Sequence, residues 1–136
     1  MTDESLWVEY NPNPTGRRIG DCTVRAISAV LGTNWDTAYA LLVVEGFDDK
    51  EMPSSNIVTG GVLRARGFRK VGIPNECPDC YTVSQFCKDN PTGVFMLGTG
   101  DHVVAVINGH YYDSWDSGDE VPIYVWSKTH LPTFGV

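Results

Sequence analysis

The spacing of apolar residues changes at Gly93, and this change limits the possible folds more than any other feature of the chain. Before Gly93 the spacing is helical and predicts helices at about residues 22–31, 35–44, 55–66 and 82–90, with a strand-like stretch at 68–73. After Gly93 the spacing predicts strands at about residues 94–97, 102–107, 110–115 and 121–126. Helices followed by strands predict a single α+β domain over residues 1–136, in which N-terminal helices pack on a C-terminal antiparallel β-sheet.

A loop rich in proline and glycine, residues 9–20, leads into the first helix and cannot itself be helical. Asp21 is the predicted N-cap, and Gly32 ends the helix. Cys22 therefore lies in the first turn, where the helix dipole and unpaired backbone N–H groups favour the nucleophilic thiolate. The alternative is a buried thiol that packs as a small apolar side chain. Arg25 is expected to pair with an acid or to cap a carbonyl as a structural element.

An Asn108-Gly109 pair between two strand patterns predicts a hairpin with a two-residue type I′ turn. This turn pairs residue 107 with residue 110 and, by extension, residue 102 with residue 115. On that register Asp113 lies diagonally across from His102, within reach of its imidazole. The same face is predicted to carry Val104, Val106, Tyr111 and Trp115, and the opposite face Asp116.

A histidine whose ring is oriented by a carboxylate can act as the base for a nucleophilic cysteine. The sequence therefore predicts a triad with Cys22 as nucleophile, His102 as base and Asp113 as the orienting acid. Trp115 is expected to form a wall of the site and to screen the hydrogen bond of the base from water. In the other interpretation, His102 is an ordinary exposed histidine at a sheet edge and Asp113 an acid close to a turn.

Three short motifs carry a family resemblance. Gly20-Asp21-Cys22 opens a helix, a run of apolar residues follows His102, and Asp113-Ser114-Trp115 lies on the next strand. In these motifs and in their order the chain resembles the papain-like cysteine peptidase clan, and in size it is similar to compact members from bacteria and their phages. The resemblance implies a papain-like fold and a cysteine peptidase or amidohydrolase. Such an enzyme cleaves a peptide or protein substrate through a thioester acyl-enzyme, without a cofactor.

The chain departs from the clan pattern at two positions. Thr23 follows the cysteine where papain itself has tryptophan, and Gly16 stands where the clan has the glutamine that completes the oxyanion hole. Asn11 and Asn13 are the amide side chains upstream of Cys22, and either is a candidate donor beside the backbone N–H of Cys22. The missing glutamine makes a catalytically silent papain-like binding module the main alternative function.

The other cysteines, Cys77, Cys80 and Cys87, need a separate explanation. Without an export signal, thiols are expected rather than disulfides. Cys77 and Cys80 have the spacing of half a structural zinc site, but a fourth ligand is missing. Thiols that pack or hold a loop are therefore favoured over a zinc-stabilised interaction domain. A thioredoxin-like redox pair is weaker still, because these cysteines do not open a helix.

The charge and hydropathy of the chain bear on its partners and location. The formal net charge is −7 and no block of Lys or Arg is present, which argues against nucleic acid as a partner. No apolar run approaches the roughly 20 residues that span a bilayer, and the N-terminus lacks the pattern of a secretion signal. The sequence therefore predicts a cytoplasmic protein with no membrane partner, and it leaves the oligomeric state open.

Overall fold

The computed structural model describes residues 5–128 and 130–134, and in this part of the chain it has four helices and six strands. The helices are α1 (Cys22–Leu31), α2 (Trp35–Asp49), α3 (Asn56–Arg64) and α4 (Val83–Asp89). The strands are β1 (Trp7–Glu9), β2 (Arg69–Gly72), β3 (Val94–Gly98), β4 (Val103–Ile107), β5 (His110–Asp113) and β6 (Tyr124–Ser127). The fold is α+β, and α1 begins and ends at the predicted residues. A capping box formed by Thr82 and Gln85 opens α4.

All six strands form one mixed sheet in the order β1-β5-β4-β3-β6-β2. Neighbouring strands are antiparallel except β1 and β5, which run parallel with Trp7 opposite Tyr111. The predicted antiparallel pairing is confirmed for β3–β6. The sheet is nevertheless mixed and is not confined to the C-terminal part of the chain, because β1 adds in parallel to one edge and β2 adds to the other. β1 has three residues, which is too short for an alternating pattern to reveal it in the sequence.

The second helix shows why a glycine is an ambiguous stop signal. The sequence predicts an end at about residue 44, before Gly46, but α2 continues to Asp49, and Lys50 in the left-handed region (φ 59°) follows it. A Cβ at Gly46 would lie 2.8 Å from the carbonyl oxygen of Glu51. This glycine therefore allows the chain after the helix to pack closely against it, instead of ending the helix.

The sheet carries an apolar cluster on each side. On one side α1, α2 and α3 cover it with buried residues that include Ile27, Leu42 and Val62. On the other side α4 covers it, and Phe86 packs edge-on against Phe95. α1 packs along β4 and β5. Its first residue, Cys22, lies beside His102 and Val103 at the start of β4.

No single helix in the described part of the chain is long and apolar enough to cross a membrane. α1 and α2 reach that length and hydropathy only when taken together, and they are bent by 109° relative to each other. Ala26, Ile27 and Val30 of α1 are buried in the fold, and Val24, Ala29 and Leu31 are partly buried.

Candidate active site

Cys22 is the first residue of α1 and is half-buried. Backbone N–H groups in the first turn of a helix have no acceptor within the helix, so the cysteine lies at the electropositive end of α1. Asp21 occupies the predicted N-cap position, but its side chain makes no cap hydrogen bond. Its carboxylate is instead paired with Arg25, one turn along α1, and accepts a hydrogen bond from Trp35 (Nε1–Oδ2 2.8 Å). The expected pairing of Arg25 with an acid is present.

His102 lies immediately before β4 and links the cysteine to the acid. A hydrogen bond joins His102 to Cys22, and the backbone of Val103 donates another to the same sulfur. On the other side of the ring, Nε2 lies 2.6 Å from Oδ2 of Asp113. Because Nε2 faces the carboxylate, Nδ1 is the ring nitrogen left for the cysteine.

Asp113 ends β5 and is only 1% exposed. Apart from His102, its carboxylate accepts hydrogen bonds from the Ser117 hydroxyl (2.6 Å) and the Ser114 backbone N–H (2.8 Å). Arg25 Nη2 lies 2.9 Å from Oδ1 in a buried ion pair. Both oxygens therefore have partners, which fixes the carboxylate and, through it, the imidazole.

Arg25 connects the start of α1 to Asp113. It is 4% exposed and pairs with two carboxylates, those of Asp21 and Asp113. A buried charge is tolerated only when it is paired in this way. The four-residue spacing of Asp21 and Arg25 is a signal in the sequence, but the second partner comes from a distant strand and has no local signal. Ser117, which also holds Asp113, has none either.

The hairpin has the predicted register, but the predicted face is wrong. Ile107 pairs with His110, as the Asn-Gly turn requires. Val104, Val106 and Tyr111 nevertheless belong to the cluster on the α4 side, whereas His102 and Asp113 contact residues of α1. The regular pairing extends only to Ala105 and Tyr112, so His102 lies beyond the part of the ladder in which strict alternation holds.

Asp116 follows the prediction that separates it from the site. Its carboxylate accepts hydrogen bonds from the Tyr111 hydroxyl and from the backbone N–H of Gly118. Tyr111 is a member of the cluster on the α4 side, so Asp116 lies with that side of the sheet. Asp113 is therefore the acid that contacts His102.

The electrostatics of the site favour a thiolate beside an imidazolium. Burial raises the pKa of Cys22, but hydrogen bonds from His102 and Val103 and the charges of His102 and Arg25 bring it below 9.0. Burial lowers the pKa of His102, but its bonds and charge interactions with Asp113 and Cys22 raise it to about 9. Burial also raises the pKa of Asp113, yet the hydrogen bond with His102 and other partners bring it below 3.8.

Cys22 and His102 line an open cleft of about 460 Å³. Trp115 forms part of its wall, with its ring centroid 5.0 Å from that of His102. The indole covers one side of the imidazole and is 42% exposed, in the position expected for a wall residue. The other lining residues are Arg18, Ile19, Gly20, Arg25, Asp101 and Ser114.

Asn11 and Asn13 do not line this cleft, so the structure does not support either as an oxyanion-hole donor. Asn11 Nδ2 donates to the carbonyl oxygens of Gly16 and Arg17 (3.1 and 3.3 Å). Asn13 Oδ1 accepts from the backbone N–H and the hydroxyl of Thr15. Both amides shape the loop at residues 9–20, because short polar side chains readily bind nearby backbone groups in turns.

Arg18 also lines the cleft, although no motif in the sequence points to it. Its Nη1 donates to the carbonyl oxygen of Ser114 (2.7 Å), and its Nη2 pairs with Glu9. The side chain is 60% exposed, so a ligand in the cleft has access to its guanidinium. Arg18 lies four residues before Cys22 in the sequence, and this position alone predicts no role for it.

The remaining cysteines do not gather into one site. Cys77 and Cys80 form a disulfide, so the expectation of two thiols there is wrong. Cys87 packs in the apolar cluster on the α4 side, where burial raises its pKa to about 12. Within residues 5–128 and 130–134, no group of three or more His, Cys, Asp or Glu side chains is arranged to hold a metal ion. The zinc-stabilised alternative therefore has no site in the described structure.

Comparisons with known proteins found no relative of this chain. No protein family, no curated protein and no solved structure matches the chain.

Proposed function

We propose that the protein is a papain-like thiol hydrolase, a peptidase or amidohydrolase with Cys22 as nucleophile and His102 as acid and base. The observation that carries the proposal is the continuous set of hydrogen bonds from Cys22 through His102 to the buried Asp113. A cysteine at a helix start, a base before one strand and an acid at the end of the next are also the arrangement that the papain-like resemblance implies. Asp113 serves as a positioning residue.

The proposed reaction begins when the Cys22 thiolate attacks the carbonyl carbon of an amide. The tetrahedral intermediate collapses as the C–N bond breaks, and the imidazolium of His102 gives its proton to the leaving amine. The product at this stage is a thioester on Cys22. Water then attacks the thioester, His102 accepts its proton, and departure of the acid regenerates the thiolate. If another amine replaces water, the result is acyl transfer.

Stabilisation of the oxyanion requires donors aimed at the cleft. The backbone N–H of Cys22 is one proposed donor, since it belongs to the first turn of α1. Arg18 is the proposed second donor, because its guanidinium lines the same cleft and carries a positive charge. This assignment replaces Asn11 and Asn13.

Alkylation by iodoacetamide as a function of pH tests the proposal. We expect Cys22 to react well below about pH 8, because a thiolate paired with an imidazolium is alkylated far faster than a neutral thiol. Cys87 is the internal control, and it should stay unlabelled because it is buried with a pKa of about 12. If Cys22 shows the pH profile of an ordinary thiol, the proposed function is wrong.

The second candidate is a papain-like binding module without turnover. The observation in its favour is that neither upstream amide reaches the cleft, which leaves Arg18 as the side-chain donor proposed for the oxyanion. A generic peptide library and a set of activated acyl esters separate the two candidates. Turnover that disappears in Cys22→Ala supports the hydrolase, and a reactive Cys22 without turnover supports the binding module.

A cytoplasmic location remains part of the proposal. The Cys77–Cys80 disulfide is the observation against it, because cytosolic disulfides are uncommon outside redox and catalytic pairs. Alkylation of a freshly lysed cell, followed by measurement of the protein's mass, shows whether Cys77 and Cys80 are free thiols or a disulfide. Alkylation of both Cys77 and Cys80 would agree with a cytoplasmic location.

A further inference from the structure

We propose that an apolar pocket beside Cys22 binds an uncharged aliphatic or aromatic side chain of a peptide substrate, close to the scissile bond. The inference rests on the proposed hydrolase function and names its substrate class. The pocket has a volume of about 310 Å³ and lies between the end of the loop at residues 9–20, the first turn of α1, and α2. Its apolar lining residues are Ile19, Val24, Trp35, Tyr39, Leu42 and Pro53.

The pocket adjoins the cleft that contains the nucleophile. Ile19 and Gly20 line both cavities. Asp21 and Thr23, the chain neighbours of Cys22, also line the pocket, and adjacent Cα atoms are about 3.8 Å apart. Residues of an extended peptide are spaced by about 3.3 Å, so a substrate whose carbonyl meets Cys22 places its nearest side chains at the pocket mouth.

The lining favours an uncharged group. Among the described lining residues Asp21 is the one with a charge, and both of its oxygens are engaged, by Arg25 and by Trp35. A charged substrate group would lose hydration there without gaining an ionic partner. An aliphatic or aromatic group would instead bury apolar surface against the rings of Trp35 and Tyr39, which stack at 5.0 Å with an interplanar angle of 9°.

The pocket is preformed, and its rim is exposed. Leu42 is 1% exposed and provides a fixed floor, and the hydrogen bond to Asp21 holds Trp35 in place. Ile19 and Tyr39 are 43% and 48% exposed at the rim, although both are apolar in their bulk. Exposed apolar side chains around a concave site are typical of a binding surface.

The test uses matched tripeptide chloromethyl ketones on the full-length protein. The probes carry leucine, glycine or aspartate at the residue that bears the reactive group or at the residue before it. Mass spectrometry gives the rate of alkylation at Cys22. At one of these positions we expect leucine to react at least about 10-fold faster than glycine, because a filled apolar pocket gives discrimination of that order. Aspartate should be no faster than glycine.

Two variants and one control assign the preference to this pocket. Tyr39→Ser removes part of the wall, and Ser54→Phe fills the mouth, so both should bring the leucine-to-glycine ratio close to one. Val44→Ser is the matched control, since Val44 is 59% exposed on α2 and does not line the pocket. It should keep the ratio. Melting temperatures show that each variant is folded.

The outcomes separate this inference from the proposed function. Equal rates with leucine and glycine, or a faster rate with aspartate, overturn the subsite even when iodoacetamide labels Cys22 below pH 8. A leucine preference that survives in both Tyr39→Ser and Ser54→Phe places the selectivity elsewhere and also overturns it. A Cys22 that iodoacetamide does not label below pH 8 contradicts the hydrolase function and the subsite together.

Discussion

The two free cysteines of the described structure lie on opposite sides of the same sheet and differ in their chemistry. Cys22 begins α1 beside His102, and its pKa is lowered although burial acts in the opposite direction. Cys87 lies within α4 among apolar side chains, and burial raises its pKa to about 12. Burial alone therefore produces an inert thiol, and polar partners are what produce a nucleophile.

The surroundings of the two cysteines differ in the same way. Around Cys22 the fold buries Asp21, Arg25 and Asp113, each paired with another. Around Cys87 the buried neighbours are apolar, Phe86 and Val83 among them. Replacement of a buried ion pair by apolar residues of similar volume is often neutral or stabilising, so stability alone gives little reason to bury these three charges. That argument supports a functional role for the α1 side.

Removal of each sulfur should give the largest contrast. We expect Cys22→Ala to lower hydrolysis by at least about 10³-fold, because the nucleophile is lost, while the melting temperature stays within a few degrees. Cys87→Ala should keep hydrolysis and lower the free energy of unfolding by about 1 kcal/mol, because it leaves a small cavity. Activity assays and thermal melts of both variants check this. A stable, active Cys22→Ala protein would show that the site lies elsewhere.

Replacement of Asp113 should bring the reactivity of Cys22 closer to that of Cys87. Both Asp113→Ala and Asp113→Asn are expected to slow alkylation of Cys22 at pH 6 by about 10-fold or more, because the imidazolium loses its carboxylate. The papain-like pattern has asparagine where this chain has Asp113, so the resemblance implies a milder effect for Asp113→Asn. The buried guanidinium of Arg25 changes that expectation, since an amide cannot replace its ionic partner. A near-normal alkylation rate in Asp113→Asn would contradict this role for Arg25.

Replacement of Arg25, the buried cation, tests how much its two ion pairs contribute to the stability of the fold. Arg25→Met leaves two buried carboxylates without their common partner, and we expect a loss of about 3–5 kcal/mol in the free energy of unfolding. Arg18→Met is the matched control: its ion pair with Glu9 is exposed, so the cost should stay below about 1 kcal/mol. Urea denaturation of both variants gives the comparison. Equal losses of unfolding free energy would mean that the buried ion pairs of Arg25 stabilise the fold no more than the exposed ion pair of Arg18.

The raised pKa of His102 predicts a dependence of stability on pH. A base with a pKa of about 9 in the folded state and 6.5 in the unfolded state stabilises the fold fully below pH 6.5. That contribution is lost as the pH rises through about 9. The lowered pKa of Asp113 acts at the other end, because its contribution is lost as the pH falls below 3.8. Thermal melts from pH 6 to 10 should show the alkaline loss in the wild type and a smaller loss in His102→Gln.

Features set by a few neighbouring residues could be predicted from the sequence. The hairpin register follows from Asn108 and Gly109, whose φ angles of 50° and 80° are those that this dipeptide readily adopts. The position of Cys22 follows from the loop before α1 and from Gly32 after it. These signals also place His102 close to Asp113, although the face assigned to them was wrong.

Features set by distant residues could not be predicted. β1 is held in the sheet by its parallel pairing with β5, and its three residues are too few to show an alternating apolar pattern. The direction of Asn11 and Asn13 depends on how a proline-rich loop turns, which no local rule determines. The Cys77–Cys80 bond likewise gave no signal beyond the spacing of its two cysteines.

Asp116 provides the smallest expected effect and the sharpest control for Asp113. It is exposed, and its contacts are with Tyr111 and Gly118 on the α4 side of the sheet. In Asp116→Ala the Tyr111 hydroxyl keeps a hydrogen bond with Ser84, so we expect a loss of about 1 kcal/mol or less in the free energy of unfolding. The pH profile of Cys22 alkylation should not move, because the carboxylate that orients His102 is untouched. If Asp116→Ala shifts that profile as far as Asp113→Ala does, His102 is supported by a carboxylate on the α4 side of the sheet and the role given to Asp113 is wrong.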